Sequence, residues 1–231
     1  MSASGLNNLK YQIFDNAIQK NILKDLSGSP SPGEVLAGTF PASSGWQTVD
    51  LTYLLYIPAG QFLAPGKYED TVTVTLYAGT IGSATEYDSQ TVTYQASISQ
   101  VVDISIVRPA FPFDPLQKDL AIDFGILKEG ATNSGDIIVR SNAAFSLSLQ
   151  SDNKGVMANL DRSDKSTVPY VFIFNGSPVN LTGTRPVDVL VNQSPTDLAG
   201  FRYNFTVIIQ PYGMATEGSY QDIITVTIAT K

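Results

Sequence analysis

The sequence of 231 residues contains no cysteine and no histidine. The absence of cysteine rules out disulfides, but it favours a reducing compartment only weakly, because sandwiches above about 100 residues can fold without them. The absence of histidine removes the commonest general base and the commonest transition-metal ligand. Without either residue type, a structural zinc site is not expected. We therefore expect no metal, no cofactor and no catalytic residues.

Positive charge is also scarce. Lysine and arginine together number 14 against 21 acidic residues, which gives a net charge of −7. Nucleic-acid binding needs clustered positive charge, and the chain has no run of lysine and arginine, so no nucleic-acid partner is expected. An acidic membrane surface would repel the chain as well. No apolar run approaches the roughly 20 residues that a membrane helix needs.

Apolar and polar residues alternate through much of the chain, as in 71–76, 102–106 and 145–150. Successive side chains of a strand point to opposite faces, so this period of two indicates strands with one buried face. The sequence predicts an all-β fold of two immunoglobulin-like β-sandwich domains. Strands are expected near residues 9–15, 48–57, 70–78, 89–98, 101–108, 120–126, 135–141, 144–150, 169–175, 187–192, 201–211 and 221–229. Residues 16–26 could form a short helical turn.

One segment occurs twice. Residues 68–76 read Tyr-Glu-Asp-Thr-Val-Thr-Val-Thr-Leu, and residues 220–228 repeat the pattern as Tyr-Gln-Asp-Ile-Ile-Thr-Val-Thr-Ile. Each copy begins two residues after a glycine, Gly66 or Gly218. A repeat this long indicates two domains rather than a solenoid. We expect a boundary near Gln100, with an N-terminal domain of residues 1–100 and a C-terminal domain of residues 101–231.

The two copies differ in the length of chain after them. A further strand-like segment, 91–98, comes after the first copy, whereas three residues, 229–231, come after the second. The second domain is therefore expected to lack its last strand, which leaves a groove with unpaired backbone groups beside uncovered core. The side chains expected to line this groove are Ile104, Ile106, Ile223, Ile224, Val226 and Ile228.

The repeat also predicts a gap in the first domain. Residues 10–16 resemble residues 169–175, but residues 102–155, which precede Met157 in the second repeat, have no counterpart before Met1 in the first. We expect the first domain to be missing its first strands, with Met1 an internal methionine of a longer domain. The alternative is a divergent domain that uses residues 16–60 for those strands.

The order and spacing of these features resemble the spore coat protein U domain family, whose members build archaic chaperone–usher pili. The residues that carry the resemblance are Pro58, Pro65, Gly66, Tyr68, Asp70 and 71–75 in the first repeat, and Phe124, Gly125, 135–141, Tyr170, Asn175, Gly176, Gly218, Tyr220, Asp222 and 225–227 in the second. The cysteines common in this family are absent. Two such domains in one chain resemble the tip adhesin of these pili, with an adhesin-like domain followed by a pilin-like domain.

The resemblance implies a role in attachment rather than an enzymatic one. A pilus tip subunit would assemble by donor-strand complementation, first with a periplasmic pilus chaperone and then with an adjacent pilin subunit. It would pass the outer-membrane usher, reach the bacterial cell surface by way of the periplasm, and bind a host or abiotic surface. The alternatives are a structural coat or fibre subunit without receptor binding, and a carbohydrate-binding or carbohydrate-active β-sandwich.

Apolar residues in two loops are the candidates for surface contact. The segment 27–46 is rich in proline, glycine and serine, and long loops of this kind are often functional. The residues expected to contact a surface are Val35, Leu36, Phe40 and Ile81. Trp46 is expected to pack in the core, because a single tryptophan in a sandwich usually does.

Three further expectations concern local structure. Tyr68 and Tyr220 should each make a hydrogen bond that resembles a tyrosine corner and fixes the turn into the following strand. The Asn175-Gly176 pair should form a hairpin turn, because both residues accept positive φ. The neighbouring carboxylates Glu69 and Asp70, like Asp161 and Asp164, are interpreted as solvated surface groups.

Overall fold

The computed structural model describes residues 1, 8–42, 44–161, 163–213 and 215–230. Contacts divide the chain into two compact units, Met1–Ile98 and Ser99–Lys231, here called unit 1 and unit 2. The described residues form strands and two short 3₁₀ turns, Leu26–Gly28 and Pro32–Glu34. The predicted all-β fold is therefore confirmed, and the helical turn expected over 16–26 is wrong apart from the first residue of the 3₁₀ turn. No helix in this part of the chain is long and apolar enough to span a membrane.

The described residues of unit 1 form two antiparallel pairs of strands. Strand β1 (Gln12–Phe14) pairs with β2 (Leu54–Tyr56), and β3 (Gly66–Ala78) pairs with β4 (Thr85–Ile98). The long hairpin of β3 and β4 follows from the runs of alternating threonine and apolar residues, which suit a pleated surface. The buried core of unit 1 is small and consists of Met1, Leu9, Leu63 and Tyr68.

Unit 2 contains the remaining strands, arranged in two sheets. They are β5 (Val102–Val107), β6 (Thr132–Ser141), β7 (Phe145–Ser151), β8 (Val156–Asn159), β9 (Thr167–Phe174), β10 (Ser177–Val179), β11 (Val187–Gln193), β12 (Phe201–Ile209), β13 (Tyr220–Gln221) and β14 (Ile224–Thr230). The larger sheet has the order β13-β8-β9-β12-β6-β5, with β10 beside β9. The smaller sheet has the order β11-β7-β14. Strands β5 and β14 thus each lie at the edge of a sheet.

One hydrophobic cluster joins the two sheets of unit 2. Along β7, Phe145, Leu147 and Leu149 are buried, and the residues between them are only half-buried, as the period of two predicts. The inward side chains of β9 and β12 meet them, and Phe172 stacks on Phe205 with ring centroids 5.4 Å apart. The shared core makes unit 2 a two-layer sandwich.

Several strand boundaries differ from the sequence-based expectation. Residues 120–126 form no assigned strand, and 48–57 shortens to β2. The last expected strand is split into β13 and β14, because the chain passes at Asp222 from the larger sheet, where β13 pairs with β8, to the smaller sheet, where β14 pairs with β7. The predicted hairpin turn is confirmed: Asn175 and Gly176 join β9 to β10 with φ of 48° and 81°.

Candidate functional site

The outer edge of β14 is open. Within the described residues, this strand pairs with β7 and with no other strand. The Asp152 N–H donates to the Ile223 carbonyl at 3.0 Å, which shows that the backbone groups of Ile223 face β7. Because bonding alternates along such a ladder, every second residue after Ile223 faces β7. The backbone groups of Ile224, Val226 and Ile228 therefore face the open edge.

The side chains of these three residues are half-buried and pack against the core of unit 2. Ile104 and Ile106 of β5 do the same from the edge of the other sheet. Some Cα atoms of β5 and β14 lie within 8 Å of each other. The structure thus places five of the six residues predicted to line a groove where the edges of the two sheets meet.

Ile223 does not belong with the other five. Its side chain is 53% exposed and is absent from the core cluster. Neighbouring residues of an extended segment point to opposite faces, so Ile223 cannot share the inward face of Ile224. Its inclusion among the groove residues is corrected on this ground.

Asp222 anchors the start of β14 to two other strands. Its carboxylate accepts hydrogen bonds from the Tyr170 hydroxyl on β9, from Ser151 Oγ on β7 at 2.6 Å, and from the Asn153 backbone N–H at 3.0 Å. Burial raises the pKa of the Tyr170 hydroxyl, and its hydrogen bond to Asp222 raises this pKa further. The Ile223 backbone N–H donates to the same carboxylate at 2.8 Å, so four donors hold the start of the open strand in a fixed position against the core.

Unit 1 repeats this arrangement. The Tyr11 hydroxyl donates to Asp70 Oδ2 at 2.7 Å. Burial and this hydrogen bond raise the pKa of Tyr11 to about 12, and the same hydrogen bond is the main reason that the pKa of Asp70 is lowered. Sequence reasoning identified the repeated tyrosines and aspartates but not their pairing; the common spacing in both repeats was the available signal.

The expected hydrogen bonds of the two turn tyrosines are confirmed. The Tyr68 hydroxyl donates to the Ala64 carbonyl at 2.8 Å, and the Tyr220 hydroxyl donates to the Thr216 carbonyl at 2.6 Å. Each bond closes the loop that leads into the repeated strand. Strands β3 and β13–β14 are therefore equivalent, and each begins after a loop that is closed by a tyrosine hydrogen bond.

The equivalent strands have different neighbours. Strand β3 pairs with β4 from Gly66 to Ala78, whereas β14 pairs with β7 and lacks a partner of the β4 type in the described residues. Strand β4 directs Tyr94, Ala96 and Ile98 toward the core of unit 1. Strand β4 thus covers one edge of β3 and contributes apolar side chains to the unit 1 core.

Among the residues expected to contact a surface, Phe40 is 62% exposed, and Ile81 is exposed in the turn between β3 and β4. Val35 and Leu36 are half-buried. Trp46, expected in the core, is fully exposed and lines a shallow depression together with Phe40. The reason is local: among its described residues, the loop that carries Trp46 has no strand that could direct the ring inward.

Among the carboxylates interpreted as surface groups, Glu69 is exposed on β3 and Asp161 and Asp164 lie in a loop, whereas Asp70 is half-buried and bonded to Tyr11. Asp161 accepts hydrogen bonds from Ser163, which is the main cause of its lowered pKa, and Asp164 accepts from Thr216 and Ser166. These bonds organise the loop after β8. Across the described ranges, no group of three or more acidic side chains is placed to hold a metal ion.

The geometry defines an all-β protein in which the last strand of unit 2 offers an unpaired edge. Residues 1–75 match the family model of the Spore Coat Protein U domain, which confirms the resemblance predicted from the sequence. The match ends within β3. No curated protein sequence matches the chain.

Two solved structures show a weak similarity. The first is the pre-assembly complex of the chaperone CsuC and the tip adhesion subunit CsuE, from archaic chaperone–usher Csu pili of Acinetobacter baumannii. It has 15% sequence identity and a TM-score of 0.46, and the alignment covers 96% of this chain and 79% of that one. The second is a chaperone–tip adhesin complex of CFA/I fimbriae biogenesis, with 15% identity, a TM-score of 0.41, and coverage of 77% and 57%.

Proposed function

We propose that this chain is a pilus subunit of the chaperone–usher kind, a two-domain tip adhesin whose unit 2 is completed by a strand from another polypeptide. The observation that carries the proposal is the edge of β14. There the same residues, Ile224, Val226 and Ile228, turn their backbone groups outward and their half-buried side chains toward the core. The family match of residues 1–75 supports the same conclusion.

An added strand would pair the unpaired backbone groups of β14 and also cover the half-buried apolar side chains beside them. Its N–H and C=O groups would bond to the outward backbone of β14, and its alternate apolar side chains would cover the half-buried core. Each square ångström of apolar surface removed from water contributes roughly 25 cal/mol. Left unpaired, the edge would template association between copies of the chain.

The proposal includes an order of partners. A periplasmic chaperone would supply the strand first, an adjacent pilin would replace it, and an outer-membrane usher would bring the subunit to the cell surface. Unit 1 would make the attachment, to a host or an abiotic surface. The exposed Phe40 and Trp46 on one depression support an attachment site of apolar character.

Strand β4 supplies a probe for the missing strand. A synthetic peptide with the sequence of residues 90–98, here called the donor peptide, carries the alternating pattern that unit 1 uses beside β3. Added to the purified full chain, it should raise the melting temperature and slow amide hydrogen exchange in β14. A peptide at 100 times its Kd adds about 2.7 kcal/mol to the stability of the folded state.

The matched control is a peptide of the same length in which Val92, Tyr94, Ala96 and Ile98 are replaced by serine. It keeps the backbone but cannot fill the core, so we expect no shift. The proposal is contradicted if the free chain is a monomer in which the outward amides of Ile224, Val226 and Ile228 exchange as slowly as the amide of Leu147. It is equally contradicted if saturating donor peptide leaves β14 exchange unchanged.

A further inference from the structure

Two tyrosine hydroxyls of unit 1 are in direct contact. The Tyr94 hydroxyl on β4 donates a hydrogen bond to the hydroxyl of Tyr53, which lies immediately before β2, and the two oxygens are 2.8 Å apart. The rings meet edge to face, with centroids 6.4 Å apart and an interplanar angle of 75°. Within the described part of the chain, no other two tyrosine hydroxyls bond to each other. The contact therefore distinguishes one pair among the 11 tyrosines of the chain.

The two rings differ in their access to solvent. Tyr53 is 44% exposed, whereas Tyr94 is half-buried. Burial, and then the hydrogen bond to Tyr53, raise the pKa of Tyr94 to about 12, so its hydroxyl stays protonated at neutral pH and remains the donor. An oxidant in solution therefore reaches Tyr53 more readily, and the hydrogen bond connects Tyr53 to the shielded ring.

This arrangement suits radical chemistry of phenols. A phenol that loses its hydroxyl hydrogen atom becomes a phenoxyl radical, whose unpaired electron is shared with the ortho carbons of the ring. The hydrogen atom of Tyr94 can then pass along the hydrogen bond to the oxidised Tyr53. Tyr53 is restored by this transfer and can be oxidised a second time. The result is two phenoxyl radicals that are already in contact.

We propose that Tyr53 and Tyr94 are joined as a dityrosine cross-link when a peroxidase oxidises them with hydrogen peroxide. The new bond joins one ortho carbon of each ring. The hydrogen on each of these carbons leaves as a proton, and each phenoxyl oxygen regains a proton. The pair thus loses two electrons and two protons in all, and one peroxide molecule takes them up and becomes two water molecules. This inference does not depend on the proposed function.

The cross-link would tie the two strand pairs of unit 1 together. Tyr53 adjoins β2 of the β1–β2 pair, Tyr94 belongs to the β3–β4 pair, and the two residues are 41 positions apart in the sequence. The chain has no cysteine, so no disulfide can make this connection. A covalent bond that closes a loop of this length restricts the unfolded chain, as a disulfide does. The cross-linked unit 1 should therefore be more stable.

Two other tyrosines of unit 1 serve as internal comparisons. The ring of Tyr11 lies 6.2 Å from that of Tyr94, but the Tyr11 hydroxyl donates to Asp70. Tyr87 is on the same strand as Tyr94 and is 76% exposed, more than Tyr53. If access to solvent alone decided the product, Tyr87 would react and join two copies of the chain. The contact between Tyr53 and Tyr94 instead predicts a link within one copy.

The test is treatment of the purified full chain with a haem peroxidase and a limiting amount of hydrogen peroxide. We expect a monomer that has dityrosine fluorescence, has lost the mass of two hydrogen atoms, and yields a linked pair of proteolytic peptides containing Tyr53 and Tyr94. Its melting temperature should exceed that of the untreated chain. A product linked through other tyrosines, including Tyr11 with Tyr94, or linked between copies through Tyr87, overturns the inference.

Matched variants test whether the contact decides the product. Tyr53→Phe and Tyr94→Phe each keep the ring but remove one hydroxyl, and each should reduce the dityrosine yield within the monomer to less than a tenth. Tyr87→Phe is the control and should give the yield of the unchanged chain. The exposed position of Tyr53 keeps its variant usable if Tyr94→Phe does not fold. Equal yields from Tyr53→Phe and Tyr87→Phe would overturn the assignment of the pair.

Discussion

The hydroxyl of Tyr170 on β9 donates a hydrogen bond to the carboxylate of Asp222, at the point where the last strand of unit 2 is interrupted. This bond ties the beginning of the open strand β14 to the larger sheet. Tyr11 and Asp70 repeat it in unit 1. The position of the open edge is therefore set by side-chain bonds before any partner strand is present.

Replacing Tyr170 by phenylalanine should lower the free energy of unfolding by about 1.5–3 kcal/mol, the range for a hydrogen bond to a charged group. Asp222 would keep its bonds from Ser151 and Asn153. The control is Tyr203→Phe, whose hydroxyl has no partner among the described residues, and which should change stability by much less. Urea unfolding of both variants measures the difference, and equal losses would contradict the role of the bond.

The Tyr11–Asp70 bond predicts how stability depends on pH. The pKa of Asp70 is lower in the folded chain than the ordinary value of 3.8, so its contribution is present above that value and is lost as pH falls through the folded pKa. The pKa of Tyr11 rises from 10.0 to about 12, so its contribution is present below pH 10 and is lost as pH rises through about 12.

Tyr11→Phe should flatten both limbs of the curve. The acid limb is measured as melting temperature against pH, and the alkaline limb as the difference in tyrosine absorbance between the chain and the variant. Tyr87→Phe, at an exposed position of β4, is the control and should leave the acid limb unchanged. A Tyr11 titration near pH 10 would contradict the expected shift.

A charge on the inward face of β14 should block strand addition. Ile228→Lys places an ammonium group among apolar side chains that a donor would bury, so we expect the peptide-induced rise in melting temperature to be lost. Thr227→Lys adds the same charge on the exposed face one residue earlier and should preserve most of the rise. The two variants must first be compared without peptide, and similar loss of the rise in both would argue against a groove.

Trp46 gives a direct spectroscopic prediction. It is the single tryptophan of the chain and is fully exposed, so its emission maximum should lie near that of the unfolded chain and move little on denaturation. Trp46→Ala should change the free energy of unfolding by less than about 0.5 kcal/mol. A large blue shift on folding would show that the ring is buried after all.

Removing both exposed aromatic rings would distinguish an adhesin from a purely structural subunit. If unit 1 attaches to surfaces through its apolar loops, Trp46→Ala with Phe40→Ala should reduce adhesion of the full chain to an apolar surface while strand addition remains intact. Lys20→Ala, on a different part of unit 1, is the control. Unchanged adhesion would favour a coat or fibre subunit that assembles without binding a target.

The sequence was most informative where one physical rule dominates. Alternation predicted β7 and β12 well, because each has one face in a large shared core. The tyrosine turns and the Asn175-Gly176 hairpin followed from local chemistry that tertiary contacts do not override. The family resemblance came from the order of these features.

The sequence was less informative where long-range contacts decide. Residues 120–126 have the pattern of a strand but pair with no strand in the described part of the chain, and a sequence pattern alone cannot show whether a partner is present. Trp46 was expected inside because tryptophan usually is, whereas its loop offers no route to the core. On the outer edge of β5, Ile106 donates to the Gln117 carbonyl and Lys118 donates to the Ile104 carbonyl. These bonds depend on a turn that brings a later segment back to β5, which the sequence pattern does not reveal.

The unpaired edge of β14 also has a consequence for the rate at which the chain would associate. If two copies of the chain paired through this edge, they would associate at a rate that grows with the square of their concentration. Capture by a partner in excess grows only in proportion to the amount of chain. The ratio of these two rates would therefore decide whether a newly made molecule associates with a second copy or is captured by a partner.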